Sequence, residues 1–190
     1  SIIIPTTCEA RRANLLRRAI QSVLSQGYVE VELIVVVNGD RFDPVLRDAI
    51  AADTGVSLYY NQEGNVSAAR HFGRERVTGE YFGFLDDDDE LLPDALRARV
   101  TQMERDPSID ILATNGYTFD GTDHLLVEMG REINGRLVES LLEVNWFGSP
   151  ASLFRTSAVE ASLFKIEHKY FEWTYLLFLM VYSGKAVTYS

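Results

Sequence analysis

Tyr81-Phe82-Gly83-Phe84-Leu85-Asp86-Asp87-Asp88-Asp89 decides the fold: a short apolar run leads directly into four consecutive carboxylates. Continuous apolar runs of this length mark strands buried on both faces, and Gly79 supplies the turn that enters this one. Four adjacent aspartates contribute nothing as packing, and like charges this close raise one another's pKa values unless a cation lies among them. The run therefore reads as hard-oxygen ligands for a divalent metal at the carboxyl end of a strand, where ligands bind in open α/β sheets. Asp also favours helix N-caps, so taken alone the run reads equally as a solvated acidic loop before a helix.

Strands and helices alternate on either side of this stretch. Upstream, Ser1-Ile2-Ile3-Ile4 predicts a strand stopped by Pro5, and Leu16, Ala19, Ile20, Val23 and Leu24 recur at helical spacing. Glu32 to Val37 predicts a second strand, ending in the turn Asn38-Gly39-Asp40. Asp43 and Pro44 form an N-cap and N1 pair for a helix to about Asp53. A strand over Ser57–Tyr60 and a helix from Asn65 or Val66 to Val77 complete the approach. This alternation predicts a mostly parallel, Rossmann-like sheet flanked by helices. Downstream, Pro93 is expected to start a helix to Arg105, followed by a strand over Ile109–Thr114. A hairpin pairs Tyr117–Phe119 with Leu125–Val127, and a short helix covers Leu137–Glu143. Then come a strand at Ala151–Phe154, a helix at Phe171–Tyr182 and a strand at Ala186–Tyr189. The pattern changes near residue 107. We expect one domain over 1–190 with a nucleotide-binding half, 1–106, and a mixed substrate-binding half, 107–190.

Composition narrows the function classes. The 190 residues are 46% apolar and 24% charged, as in a globular domain, and the net charge of -10 argues against nucleic acid or an anionic membrane surface as main partner. The single cysteine, Cys8, excludes an internal disulfide and points to a reducing compartment. The longest apolar stretch, Leu176 to Tyr182, is far too short to span a membrane. The chain opens on a strand without Met, which suggests a domain excised from a longer protein. No Gly-x-Ser-x-Gly elbow is present, which excludes that class of serine hydrolase. Pro5-Thr6-Thr7-Cys8-Glu9 lacks the glycines that a nucleotidyl transferase needs after its first strand.

Several blocks, in order, resemble family 2 glycosyltransferases. Ser1-Ile2-Ile3-Ile4-Pro5-Thr6 with Ala19-Ile20-Gln21-Ser22-Val23-Leu24-Ser25-Gln26 is similar to the family's "IIPTYN…AIxSVLxQ". Glu32–Asp40 looks like "EIIVVDDGS", and Ala68-Ala69-Arg70-His71-Phe72-Gly73 with Gly79–Asp89 looks like "xARNxG…GEYIxFLDxDD". Phe171-Glu172-Trp173 stands where the family has "EDW".

The resemblance implies a GT-A fold and inverting transfer of a sugar from a nucleotide-sugar donor, a UDP-sugar favoured, to a hydroxyl of a glycan or other acceptor. It implies a Mn²⁺ or Mg²⁺ cofactor held by Asp88, and donor contacts from Thr6, Asn38, Arg70, Asp86 and Asp87. It gives Glu172 the role of catalytic base, with His168 as its rival or as an acceptor contact. Trp146 and Trp173 have faces suited to stacking on a sugar, although Trp173 shares a stripe with Leu176, Leu177 and Met180, the pattern of core packing. The helix over 171–182 is apolar nearly all round, so a further domain, a second subunit or a membrane surface is expected to cover it. The family's routes imply polysaccharide or glycoconjugate synthesis in the cytoplasm, with membrane association through other regions. Thr7, Cys8, Val37 and His71 depart from the family pattern. They leave open a degenerate module that binds nucleotide-sugar or glycan without turnover.

Overall fold

The computed structural model describes residues 1–190 apart from 28–29 and 167–169. Nine strands are found among these: β1 (Ile2–Thr6), β2 (Leu33–Asn38), β3 (Val56–Asn61), β4 (Tyr81–Phe84), β5 (Ile111–Ala113), β6 (Tyr117–Phe119), β7 (Asp123–Leu125), β8 (Ser152–Arg155) and β9 (Val187–Tyr189). The helices are α1 (Ala13–Leu24), α2 (Pro44–Ala51), α3 (Val66–Arg74), α4 (Ala95–Arg105), α5 (Leu137–Glu143) and α6 (Glu172–Tyr182). Seven strands form one sheet in the order β3-β2-β1-β4-β8-β5-β9, while β6 and β7 make a separate hairpin. The first four strands are parallel, but β8 runs antiparallel to both β4 and β5. Because β8, β5 and β9 extend the same sheet, the halves on either side of residue 107 share one layer.

Side chains alternate across each strand, so the sheet builds a core on both faces. Ile3, Ile34, Val36, Phe82 and Phe84 pack on one face with Ala69 of α3 and with Leu176, Leu177 and Met180 of α6. Ile2, Ile4, Leu33, Val35 and Val37 face the other way, against Leu16, Ala19, Ile20 and Val23 of α1 and Leu46 and Ile50 of α2.

Side-chain caps set the starts of two helices. The Asp43 side chain accepts from Leu46 N–H at 2.8 Å and Asn65 accepts from Ser67 N–H at 2.9 Å, capping α2 and α3. Several boundaries differ from the sequence expectation, four of them as follows. Pro5 lies inside β1 rather than ending it. Ile2 donates to Glu32 on the β2 side and Leu85 donates to Ile3 on the β4 side, so alternation turns the Pro5 nitrogen toward β4. The pairing with β4 has ended by then, at Ile3↔Phe84, and the missing N–H removes no ladder bond. α4 starts at Ala95, two residues after Pro93, because Asp94 takes a left-handed φ of 61°. The hairpin pairs Tyr117 with Leu125, so its second strand comes two residues earlier than Leu125–Val127. α3 ends at Arg74 rather than Val77.

The expectation that 171–182 is covered elsewhere divides along the helix. Leu176, Leu177 and Met180 are buried in the core, while Phe171 and Tyr182 stand exposed. Among the described residues no helix is long and apolar enough to cross a membrane.

Candidate active site

The strand order reverses direction between β1 and β4, and a crevice opens at such a switch point, beyond the carboxyl ends of the strands. A cleft of about 300 Å³ is found there, lined by Pro5, Thr6 and Thr7 after β1, Asn38 at the end of β2, Arg70 on α3 and Asp86–Asp88 after β4. Arg11, Arg12, Arg41 and Glu9 complete its rim, so four arginines face four carboxylates.

The four aspartates have separate environments. Asp86 is partly exposed and meets Arg70 Nη2 at 3.3 Å. Asp88 is half-exposed and meets Arg12 Nη2 at 3.1 Å. Asp87 is buried: Thr6 donates its hydroxyl to Oδ2 at 2.5 Å, and Arg12 Nε reaches both oxygens at 3.1 Å. Asp89 is pushed up to about 6, first by its own burial and then by the charges of Asp86, Asp88 and Asp87. Negative charge thus remains in excess at the loop even with Arg12 and Arg70 in place.

Several polar groups around the cleft lack protein partners. Asn38 Oδ1, Thr7 Oγ1 and Arg70 Nε are buried without a hydrogen bond. Buried acceptors and donors left unpaired in a cleft are ready to meet a ligand. Beside the cleft, Glu172 opens α6 and lines a small pocket with Ser67, Arg70, Phe164 and Trp173. Arg70 borders both spaces. The residue before Glu172, Phe171, has a left-handed φ of 57°, and Cys8 at the cleft has 52°. Non-glycine residues in this region carry strain and cluster at functional loops.

Three of the expected contact residues are held by the protein itself. Thr6 lines the cleft, and its hydroxyl gives to Asp87 and accepts from Cys8 N–H at 2.9 Å. Asp87 also lines the cleft, and its oxygens meet Thr6 and Arg12, so it anchors the loop. Trp146 was expected to stack on a sugar. It is buried, its rings meet Phe147 and Tyr189, and its indole N–H donates to Ser140 at 2.9 Å. Trp173 joins both environments: it touches Phe84 and Phe147 edge-on, and the Arg70 guanidinium lies 4.9 Å from its ring centre. His168 lies outside the described residues.

Arg12 and Arg41 escaped the sequence reading as site residues. Arg12 ends a 3-10 turn over Ala10–Arg12 between β1 and α1, and its link to Asp87 spans 75 positions that no local pattern records.

Known proteins resemble this chain in sequence and in fold. The family model described as "Glycosyl transferase family 2" matches residues 1–159. An uncharacterized glycosyltransferase of Rickettsia typhi is 31% identical over 117 residues, 62% of this chain and 36% of that protein. A GalNAc(5)-diNAcBac-PP-undecaprenol beta-1,3-glucosyltransferase of Campylobacter jejuni is 28% identical over 182 residues, 88% of this chain and 55% of that one. The chain therefore spans about a third and about half of these two relatives. The crystal structure of S. aureus TarS 1-349 covers 100% of this chain with a TM-score of 0.70 at 16% identity, and the chain covers 57% of it. The same protein in complex with UDP-GlcNAc gives a TM-score of 0.69 at 16% identity, with 55% of it covered. Sharing a GT-A fold along its whole length and matched over residues 1–159, the chain belongs to glycosyl transferase family 2.

Proposed function

We propose that the cleft binds a nucleoside diphosphate sugar and that the chain transfers its sugar, with inversion, to an acceptor hydroxyl. The observation that carries this reading is the lining of the cleft. Asp86 and Asp88, both accessible, lie with Arg70 and the unpaired Asn38 carbonyl at the sheet's switch point. Asn38 Oδ1 suits the imide N–H of a uracil, and structures of TarS are named with UDP and with UDP-GlcNAc, which supports a UDP-sugar. Arg70, at the cleft wall, offers its guanidinium to the diphosphate.

The donor set fits a hard divalent cation, with accessible carboxylate oxygens on Asp86 and Asp88 facing the cleft. Asp88, with Asp86 beside it, would hold Mg²⁺ or Mn²⁺. Among the described residues no three His, Cys, Asp or Glu side chains converge as a protein-only metal cage. Diphosphate oxygens would complete the shell, the usual arrangement for Mg²⁺. A bound metal supplies neutralisation of the charge that develops on the diphosphate leaving group. Glu172 takes the proton of the acceptor hydroxyl, on the far side of Arg70 from the acidic loop. The acceptor is a glycan or glycoconjugate hydroxyl; the Campylobacter relative is named for an undecaprenol-linked glycan.

The test is thermal unfolding with UDP, GDP, CDP and dTDP, each with Mn²⁺ and with EDTA, for the parent and Asp88→Asn. Ligand at a hundredfold over its Kd adds about 2.7 kcal/mol of stability. A metal-dependent shift with UDP that Asp88→Asn loses is the expected result. No shift with any nucleotide sinks the reading.

A further inference from the structure

We propose that Arg12 and the divalent cation are alternative partners of Asp88, so that Arg12 offsets part of the acidic loop's charge until metal and diphosphate arrive together. The inference rests on the metal and donor reading above.

Arg12 is fixed by its other contacts. Its Nε donates to both oxygens of buried Asp87, and Nη2 also donates to Asp87 Oδ1. The same Nη2 is shared with Asp88, lying 3.1 Å from its Oδ2. Among the described residues Arg12 is the only cation at ion-pair distance from Asp88, and Arg70 is the only one on Asp86. Each accessible carboxylate therefore already carries one arginine. A metal ion joining Asp88 alone meets a guanidinium a few ångströms away, and the two cations repel. A diphosphate brings enough negative charge for both, so it removes that penalty. Metal and nucleotide are thereby coupled: each binds better once the other is present, by the same factor. Asp87 supplies the pivot, since it keeps Arg12 at the cleft after Asp88 is released.

The experiment is titration of Mn²⁺ into the intact chain, followed by electron paramagnetic resonance of the free ion, with and without UDP, for the parent, Arg12→Gln and Arg12→Lys. Circular dichroism checks that each variant is folded. Arg12→Gln should bind Mn²⁺ without nucleotide about fivefold more tightly, the effect of removing one screened charge at this range. The enhancement of Mn²⁺ binding by UDP should shrink in parallel, and Arg12→Lys should keep most of the parental behaviour. Where Arg12→Gln does not fold, the Arg12 side-chain nitrogen signals of the parent answer the question, and Mg²⁺ with UDP should shift them. Equal Mn²⁺ affinity in folded Arg12→Gln and parent overturns the inference while leaving the donor site standing. Unmoved Arg12 signals on saturation with Mg²⁺ and UDP do the same. Absence of Mn²⁺ binding to every protein, with or without UDP, overturns both.

Discussion

The Thr6 hydroxyl donates to Asp87 Oδ2 at 2.5 Å, joining the end of β1 to the acidic loop across 81 positions of chain. The Thr6 hydroxyl oxygen in turn accepts the Cys8 N–H at 2.9 Å, so one side chain ties the loop after β1 to the acidic loop. Thr6→Val keeps the shape and the strand preference but leaves a buried carboxylate and a backbone donor short of a partner. We expect a loss of about 1–3 kcal/mol in urea unfolding. Unchanged stability would show that the pair does not hold the loop.

Gly73 is where α3 meets the sheet. A Cβ there would lie 2.5 Å from Ile3 Cγ2 and 3.2 Å from Val36 Cγ2. Ala favours a helix by about 1 kcal/mol over Gly, but overpacking a core contact costs about 1–3 kcal/mol. Gly73→Ala should therefore destabilise, and because α3 carries Arg70 it should also weaken UDP binding. A stabilised variant would contradict the close approach.

Asp89 links stability to pH. Its pKa rises from 3.8 to about 6 on folding, so the folded chain holds that proton more tightly. Stability from the protonated form is present below 3.8 and is lost as pH rises through about 6. Asp89→Asn should thus be more stable than the parent at pH 8 by about 1 kcal/mol, after discounting for partial exposure, and equal to it at pH 4. Paired melting curves at both pH values measure this. A difference independent of pH would assign the effect to something other than the carboxyl charge.

Glu172 is proposed to act on the acceptor proton and not on the donor. Glu172→Gln should retain the UDP-induced shift in melting temperature and lose turnover by about 10²–10⁴-fold. Full turnover in the variant would move the base role to another residue.

The Cys8 thiol is pushed up to about 11, chiefly by burial and then by the charges of Asp43 and Asp87. Alkylation by iodoacetamide at pH 8 should follow global unfolding, and fast labelling of the native chain would contradict the buried environment.

Much of this molecule was legible in its sequence. The βα alternation, the capped starts of α2 and α3, and an acidic run following a buried strand all depend on neighbours a few residues apart. Periodicity and turn chemistry record such relationships directly. Ser22 and Gln26 were visible as parts of a motif, but their work was not. Ser22 Oγ accepts from Leu91 N–H at 3.0 Å and Gln26 Oε1 accepts from Leu96 N–H at 3.2 Å, clamping the segment after the aspartates onto α1. The insertion of antiparallel β8 between β4 and β5, the capture of Asp87 by Thr6 and Arg12, and the burial of Trp146 were equally hidden. Each depends on groups brought together from distant parts of the chain. Four adjacent aspartates look alike in sequence; only the tertiary structure, by choosing which oxygens meet an arginine and which meet water, makes one an anchor and leaves others open to a ligand.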